Sequence, residues 1–151
     1  MYDSPAFKVL NIHELRCLHC LEREIAVIRK GHNTDLVVTY LDFEKYGVHR
    51  RHIAPSLRAL EALGFVKRTE QGRGGYEGFR RPNKWQLTYM DATPKVSNAT
   101  HEWAAITTKE EAKEIAGQHR RHEKRKHRPP PYHGPKLRVV ATASKGDSNA
   151  V

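Results

Sequence analysis

The chain has 151 residues, a formal net charge of +10 and a mean hydropathy of −0.76. That length suits one domain of about 100 residues with extensions. No apolar run reaches the length of a membrane span, no signal-peptide pattern opens the chain, and two cysteines, Cys17 and Cys20, are too few for a secreted disulfide scaffold, so a cytoplasmic protein is expected.

The charge is concentrated. Residues 50–89 hold nine Lys/Arg against three Asp/Glu and residues 117–151 hold nine against two, whereas residues 1–49 and 90–116 are slightly acidic. Basic blocks of this kind suit a polyanion, whose condensed counterions are released on binding.

Residues 1–10 read as an arm, with Phe7, Val9 and Leu10 available to pack and no signal fixing their conformation. Asn11 and Glu14 have capping-box spacing. Leu15, Leu18, Leu21, Ile25 and Ile28 then recur at three- and four-residue steps, the apolar stripe of an amphipathic helix that Gly31 ends. Residues 32–35 read as a turn and residues 36–38 as a short β-branched strand. Thr39 caps a helix over residues 40–46, with Asp42 in its first turn, Leu41 and Phe43 in the core and Tyr46 partly buried. Gly47 turns the chain and Val48 points back into the core.

His49 or Arg50 opens the next helix. Ile53, Leu57, Leu60 and Leu63 share its buried face, while Arg50, Arg51, His52, Ser56 and Arg58 form a polar, cationic surface near its start. Pro55 lacks an amide donor and clashes with the preceding turn, so either the helix kinks there or its regular part starts near His52. Residues 65–69 and 84–89 alternate as strands. The loop between them, residues 70–83, carries four glycines with Arg73, Arg80 and Arg81, which suits a long hairpin tip. Residues 91–106 link onward, with Trp103 docking on the domain. Thr107 or Thr108 caps a helix whose narrow stripe is Ala112, Ile115 and Ala116, and whose basic end extends to residue 128. Residues 129–151 open on three prolines, hold few large apolar side chains and read as disordered.

The predicted order is helix, strand, helix, helix, strand, long loop, strand. This is an α+β winged helix-turn-helix over residues 11–90, with an added C-terminal helix at 107–128 and a disordered basic tail. The second helix of such a motif fits the DNA major groove, and the hairpin reaches the adjacent backbone or minor groove.

The chain also resembles bacterial winged-helix regulators, most closely small helix-turn-helix proteins of rhizobia and their relatives. The resemblance is carried by Leu-Val-Val-Thr-Tyr-Leu-Asp-Phe at 36–43, His-Ile-Ala-Pro-Ser-Leu-Arg-Ala-Leu-Glu-Ala-Leu-Gly at 52–64, Phe-Arg-Arg-Pro at 79–82, Leu-Thr-Tyr at 87–89 and Thr-His-Glu-Trp at 100–103. It covers roughly residues 1–116 and implies DNA binding, with gene control or mobile-element maintenance as the role. An internal proline departs from the usual reading helix, which leaves the docking geometry at Pro55 open.

The residues assigned to DNA follow from this architecture. Arg50, Arg51, His52, Ser56 and Arg58 are the reading-helix candidates, the arginines because a guanidinium addresses guanine bidentately. Lys67, Arg68, Arg73, Arg80, Arg81 and Lys84 are wing candidates for phosphate or the minor groove. Arg120, Arg121, Lys124, Arg125, Lys126 and Arg128 supply non-specific attraction from the tail. His119, His122, His127 and His133 add to that polycation.

Other chemistry finds little support. Cys17 and Cys20 share a helix face with His13, but a structural zinc needs four ligands, so the thiols are expected to pack as small hydrophobes and no metal or cofactor is expected. No Walker loop follows the glycines, and the carboxylates are too scattered for a metal-dependent nuclease, so no catalysis is expected. The expectation is a sequence-specific, nucleoid-associated regulator of double-stranded DNA, acting as a homodimeric repressor. The alternative is a DNA-binding accessory protein in plasmid or mobile-element replication, transfer or recombination.

Overall fold

The computed structural model describes residues 1–28, 32–72, 81–93 and 95–121. The predicted helix stop at Gly31, most of the predicted hairpin tip (73–80) and the disordered tail at 129–151 lie outside the described residues.

Local capping sets the helix boundaries. Asn11 Oδ1 accepts from the amides of His13 and Glu14, and Glu14 Oε2 accepts from the Asn11 amide at 2.9 Å, which closes a capping box at the start of α2 (Ile12–Arg23). The expected single α-helical stripe does not run through to residue 28, because Glu24–Ile28 form a π-helical turn. The preceding arm is not free. Ser4 caps a one-turn helix, α1 (Pro5–Lys8), Ala6 is buried, and Phe7 meets Phe65 edge-on with ring centroids 6.1 Å apart.

β1 (Leu36–Val37) leads into α3 (Tyr40–Lys45), where Thr39 and Asp42 cap each other reciprocally. Leu41 was expected in the core but is 63% exposed, while Phe43 is fully buried. On so short a helix two residues two apart point in nearly opposite directions, so only one of them faces inward. Gly47, at φ 76°, makes the sharp turn into α4 (Arg50–Ala62), and Arg16 of α2 donates to its carbonyl at 2.8 Å.

α4 buries Ile53, Leu57 and Leu60 as its spacing predicts. Pro55 lies inside the helix and is itself buried. Its missing amide leaves the Arg51 carbonyl without the usual donor one turn on. Gly64 then carries φ 75°, and a Cβ there would lie 2.7 Å from the Trp103 amide nitrogen. That space admits the 3-10 turn Glu102–Ala105, whose Trp103 stacks on Phe65 at 6.4 Å.

β2 (Val66–Glu70) and β3 (Lys84–Leu87) complete a three-stranded antiparallel sheet in the order β1-β3-β2. Leu36 pairs with Trp85 and Val66 with Leu87, and the β2–β3 register slips between Arg68 and Glu70. The turn before β1 holds a buried bracket. Asn33 gives its amide hydrogens to the Leu87 and Met90 carbonyls and accepts from the Leu87 amide, so one side chain satisfies the backbone where β1 runs out.

α5 (Lys109–Arg120), capped by Thr108, packs against α4 and α1 through the buried Ala112 and Ala116. The expected extension to residue 128 is not continuous. Arg121 turns extended (ψ 131°) and ends the helix, and residues 122–128 lie outside the described residues. The core therefore joins Leu18 and Leu21 of α2, Ile25 of the π-helical turn, Phe43, the inner face of α4, Phe65, Trp85 and Leu87. Each large side chain so buried contributes roughly 1.5–3 kcal/mol. Among the described residues this is an α+β arrangement of five α-helices and a small three-stranded antiparallel sheet, with α1 added ahead of the predicted elements. Among the described residues no helix is long and apolar enough to cross a membrane.

Candidate nucleic-acid interface

The first turn of α4 carries a cluster of arginine and histidine side chains. His49, Arg50 and Arg51 are exposed and His52 is half-buried. His49 is the N-cap: its Nδ1 accepts from the Arg51 amide at 3.3 Å. Arg50 lies over the Tyr40 ring of α3, 5.5 Å from its centroid, and faces Glu44 at 3.8 Å. Both groups are substantially exposed, so this ion pair is weak and yields readily to a phosphate. The guanidinium of Arg51 donates through Nε to His52 Nε2 at 3.0 Å. Behind it, the His52 ring stacks flat on His13 of α2, 4.1 Å between centroids. His13 Nδ1 is buried with no hydrogen-bond partner among the described residues.

Two of the predicted reading-helix residues do not belong to this surface. Ser56 is 3% exposed and lies beside the buried Cys17 thiol, so it faces the core rather than a groove. It sits three residues after Ile53, inside the buried stripe. Arg58 points to the far end of α5, where it donates to the carbonyls of His119 and Arg121 at 3.3 and 3.4 Å. These are carbonyls that a helix C-terminus leaves without partners, so Arg58 serves as a cap for α5.

The hairpin carries the second group. Lys67 is exposed on β2. Arg68 lies over Trp85 at 6.0 Å and pairs with Glu61 at 3.5 Å. Lys84 pairs with Glu70 at 2.7 Å, and this hydrogen-bonded carboxylate raises the lysine's pKa. Arg81 is exposed where the two strands diverge, beside Gly72, whose amide donates to Asn83 at 2.7 Å. Arg73 and Arg80, predicted for the wing tip, lie outside the described residues.

Of the tail candidates, Arg120 is placed otherwise. Its Nε and Nη2 grip both oxygens of Glu14 at 2.7 and 2.8 Å, and Nη2 also donates to the Val9 carbonyl at 2.8 Å. Glu14 is fully buried, and this bond raises the arginine's pKa. Arg120 is a clamp joining α5, α2 and the N-terminal arm. Arg121 is exposed, while Lys124, Arg125, Lys126 and Arg128 lie outside the described residues.

The cysteines pack as expected. Burial, with the neighbouring Cys20 adding to it, pushes the Cys17 thiol up to about 12, and burial pushes Cys20 up to about 11. Both are therefore protonated near neutrality and poor nucleophiles. Among the described residues no three His, Cys, Asp or Glu side chains gather as metal ligands.

The sequence reading missed Tyr40 beneath Arg50, His49 as a side-chain cap, and the His13–His52 stack. The first two carried a signal, since Tyr40 follows a helix cap and His49 immediately precedes α4. The stack joins residues far apart in sequence and carried none. Comparison with protein-family models, curated proteins and solved structures finds no match to this chain.

Proposed function

We propose that the chain is a winged helix-turn-helix protein that binds double-stranded DNA and represses transcription by occluding a promoter. The observation that supports this reading most is the start of α4. Arg50 and Arg51 stand exposed on the first turn of a helix that follows a tight glycine turn, with α3 before it and a basic two-stranded hairpin after it. In a helix-turn-helix that first turn meets base edges, and the hairpin meets the flanking backbone. Arg51 is the base-reading candidate and Arg50, already on a carboxylate, the phosphate candidate. Lys67, Arg68, Arg81 and Lys84 complete the contact from the hairpin, and Arg121 begins the basic tail. A homodimer is part of the proposal, because one short helix reads few base pairs and paired half-sites multiply specificity.

The test has two parts. Binding of the full chain to random-sequence duplex is measured by fluorescence anisotropy, and its genomic sites are footprinted. Binding in the micromolar range or tighter at low salt, with footprints at a few promoters, supports the proposal. No duplex binding refutes it, and footprints at a single origin or element end transfer the protein to the accessory role.

A further inference from the structure

Arg51 is held at two points, and both anchors are imidazoles. Its amide donates to His49 Nδ1, and its side-chain Nε donates to His52 Nε2. Arginine only donates, so in both contacts the imidazole nitrogen is the acceptor, a role it can fill only without a proton. His52 is itself held by the face-to-face stack on His13, with rings 7° from parallel, and by the edge of His49 at 6.3 Å. Arg51 is exposed, and with Nε occupied its two terminal amino groups remain to meet a ligand. That end presents parallel N–H donors at the spacing of guanine O6 and N7.

We infer that His52, braced by His13, is a positioning residue that aims the terminal amino groups of Arg51 at one guanine in the major groove, and that it does so only in its neutral form. This rests on the DNA-reading proposal and assigns its base contact. Protonating His52 turns Nε2 from acceptor to donor, which removes the anchor and sets two cations against each other. The surrounding charges are mostly engaged elsewhere. From α2, Glu14 next to His13 is taken by Arg120 of α5; from α3, Glu44 faces Arg50; further along α4, Glu61 faces Arg68 of β2, and Arg58 caps the α5 carbonyls. Among the described residues, the rings of His13 and His49 both pack against His52.

The experiment selects duplexes from a random-core library with the full chain at pH 7.5 and pH 5.5, which bracket the ordinary imidazole value of about 6.5. Wild type at pH 7.5 is expected to enrich a motif containing one guanine that Arg51→Ala alone abolishes. His52→Ala should lower the preference for that guanine by roughly fivefold or more, the range of a lost bidentate contact, and leave other positions unchanged. His13→Ala should weaken the same position to a smaller degree. His52→Gln places an amide oxygen near the Nε2 position, so it should restore the preference and make it equal at both pH values. Wild type should lose it at pH 5.5. Retention of the guanine preference in His52→Ala, equal loss at every position, failure of a folded His52→Gln to restore it, or an undiminished preference in wild type at pH 5.5 each overturns the assignment. Should His52→Ala not fold, the wild-type pH comparison and His52→Gln decide. Failure of wild type to enrich any motif refutes DNA reading itself, a different outcome from enrichment that ignores His52.

Discussion

Replacing Arg120 with alanine isolates the contact that ties the C-terminal helix to the rest of the fold. Glu14 is fully buried, and its carboxylate accepts from the Asn11 amide at 2.9 Å, from Asn11 Nδ2 at 2.8 Å, and from Arg120 through two bonds. Removing the arginine strands a buried charge with only the two asparagine donors. Breaking a buried ion pair from one side costs about 3–5 kcal/mol. Arg120 is one third exposed and two neutral donors survive, so the loss falls to or just below the lower end, about 2–3 kcal/mol. Adding Glu14→Gln to Arg120→Ala removes the stranded charge and should recover about half of that loss. Lys in place of Arg120 should fall between, because an ammonium cannot grip both oxygens as the planar fork does. Urea unfolding at neutral pH, with an unchanged slope against denaturant, measures each difference. A loss below about 1 kcal/mol for Arg120→Ala, or no recovery in the double variant, refutes the buried-charge argument. The same variant checks the clamp from the binding side: a phosphate contact by Arg120 would flatten the salt dependence of duplex binding by about 0.9 log units, and no such change is expected.

Three further outcomes are expected. A chain ending after Arg121 keeps the carbonyls that Arg58 holds and loses seven basic and two acidic residues, so it should stay folded, bind every duplex more weakly at low salt and keep its preference for a cognate site; monomerisation in light scattering together with lost preference would instead make the missing segment the dimer contact. Replacing Arg73, Arg80 and Arg81 together with alanine should reduce the slope of log affinity against log salt by up to about 0.9 per lost phosphate contact; an unchanged slope assigns the hairpin to something other than DNA. The Thr39 hydroxyl and amide, with Lys45 in a lesser role, hold the Asp42 carboxyl below its ordinary value of 3.8, so its contribution is fully present above that value and is lost as pH falls through the lower folded value; NMR titration of Thr39→Ala should show Asp42 moving back up, and no movement would deny the cap its role.

The parts of the fold legible in the sequence are those set by neighbours along the chain. Asn11 with Glu14, Thr39 with Asp42, and Thr108 with Glu111 are three-residue relations, and each closes as a cap in the structure. The stripe of Ile53, Leu57 and Leu60 identifies the inner face of α4, and the same rotation, applied strictly, also places Ser56 inside and separates Leu41 from Phe43. Those two errors came from reading residue type, a hydroxyl as surface and a leucine as core, where geometry already decided. The Asn33 bracket was not legible, because its partners Leu87 and Met90 lie more than fifty positions away and nothing in a turn-like tetrapeptide announces them.

The cations divide on the same principle. Net charge located the two basic blocks, but charge alone does not separate an arginine that meets a polyanion from one that meets the protein's own acceptors. Arginine has five donors on a long stem, and helix ends and buried carboxylates are acceptors that folding leaves in need of them. Arg58 found the open carbonyls of α5, and Arg120 found Glu14 across a separation of 106 residues. Neither partner is visible before the tertiary structure brings the helices together. Removing Ser56, Arg58 and Arg120 from the proposed contact contracts reading to the turn from His49 to His52. It also fixes where the tail departs, since Arg58 of α4 holds the carbonyl of Arg121. The proposal therefore starts the tail's basic sequence beside a residue that α4 itself holds.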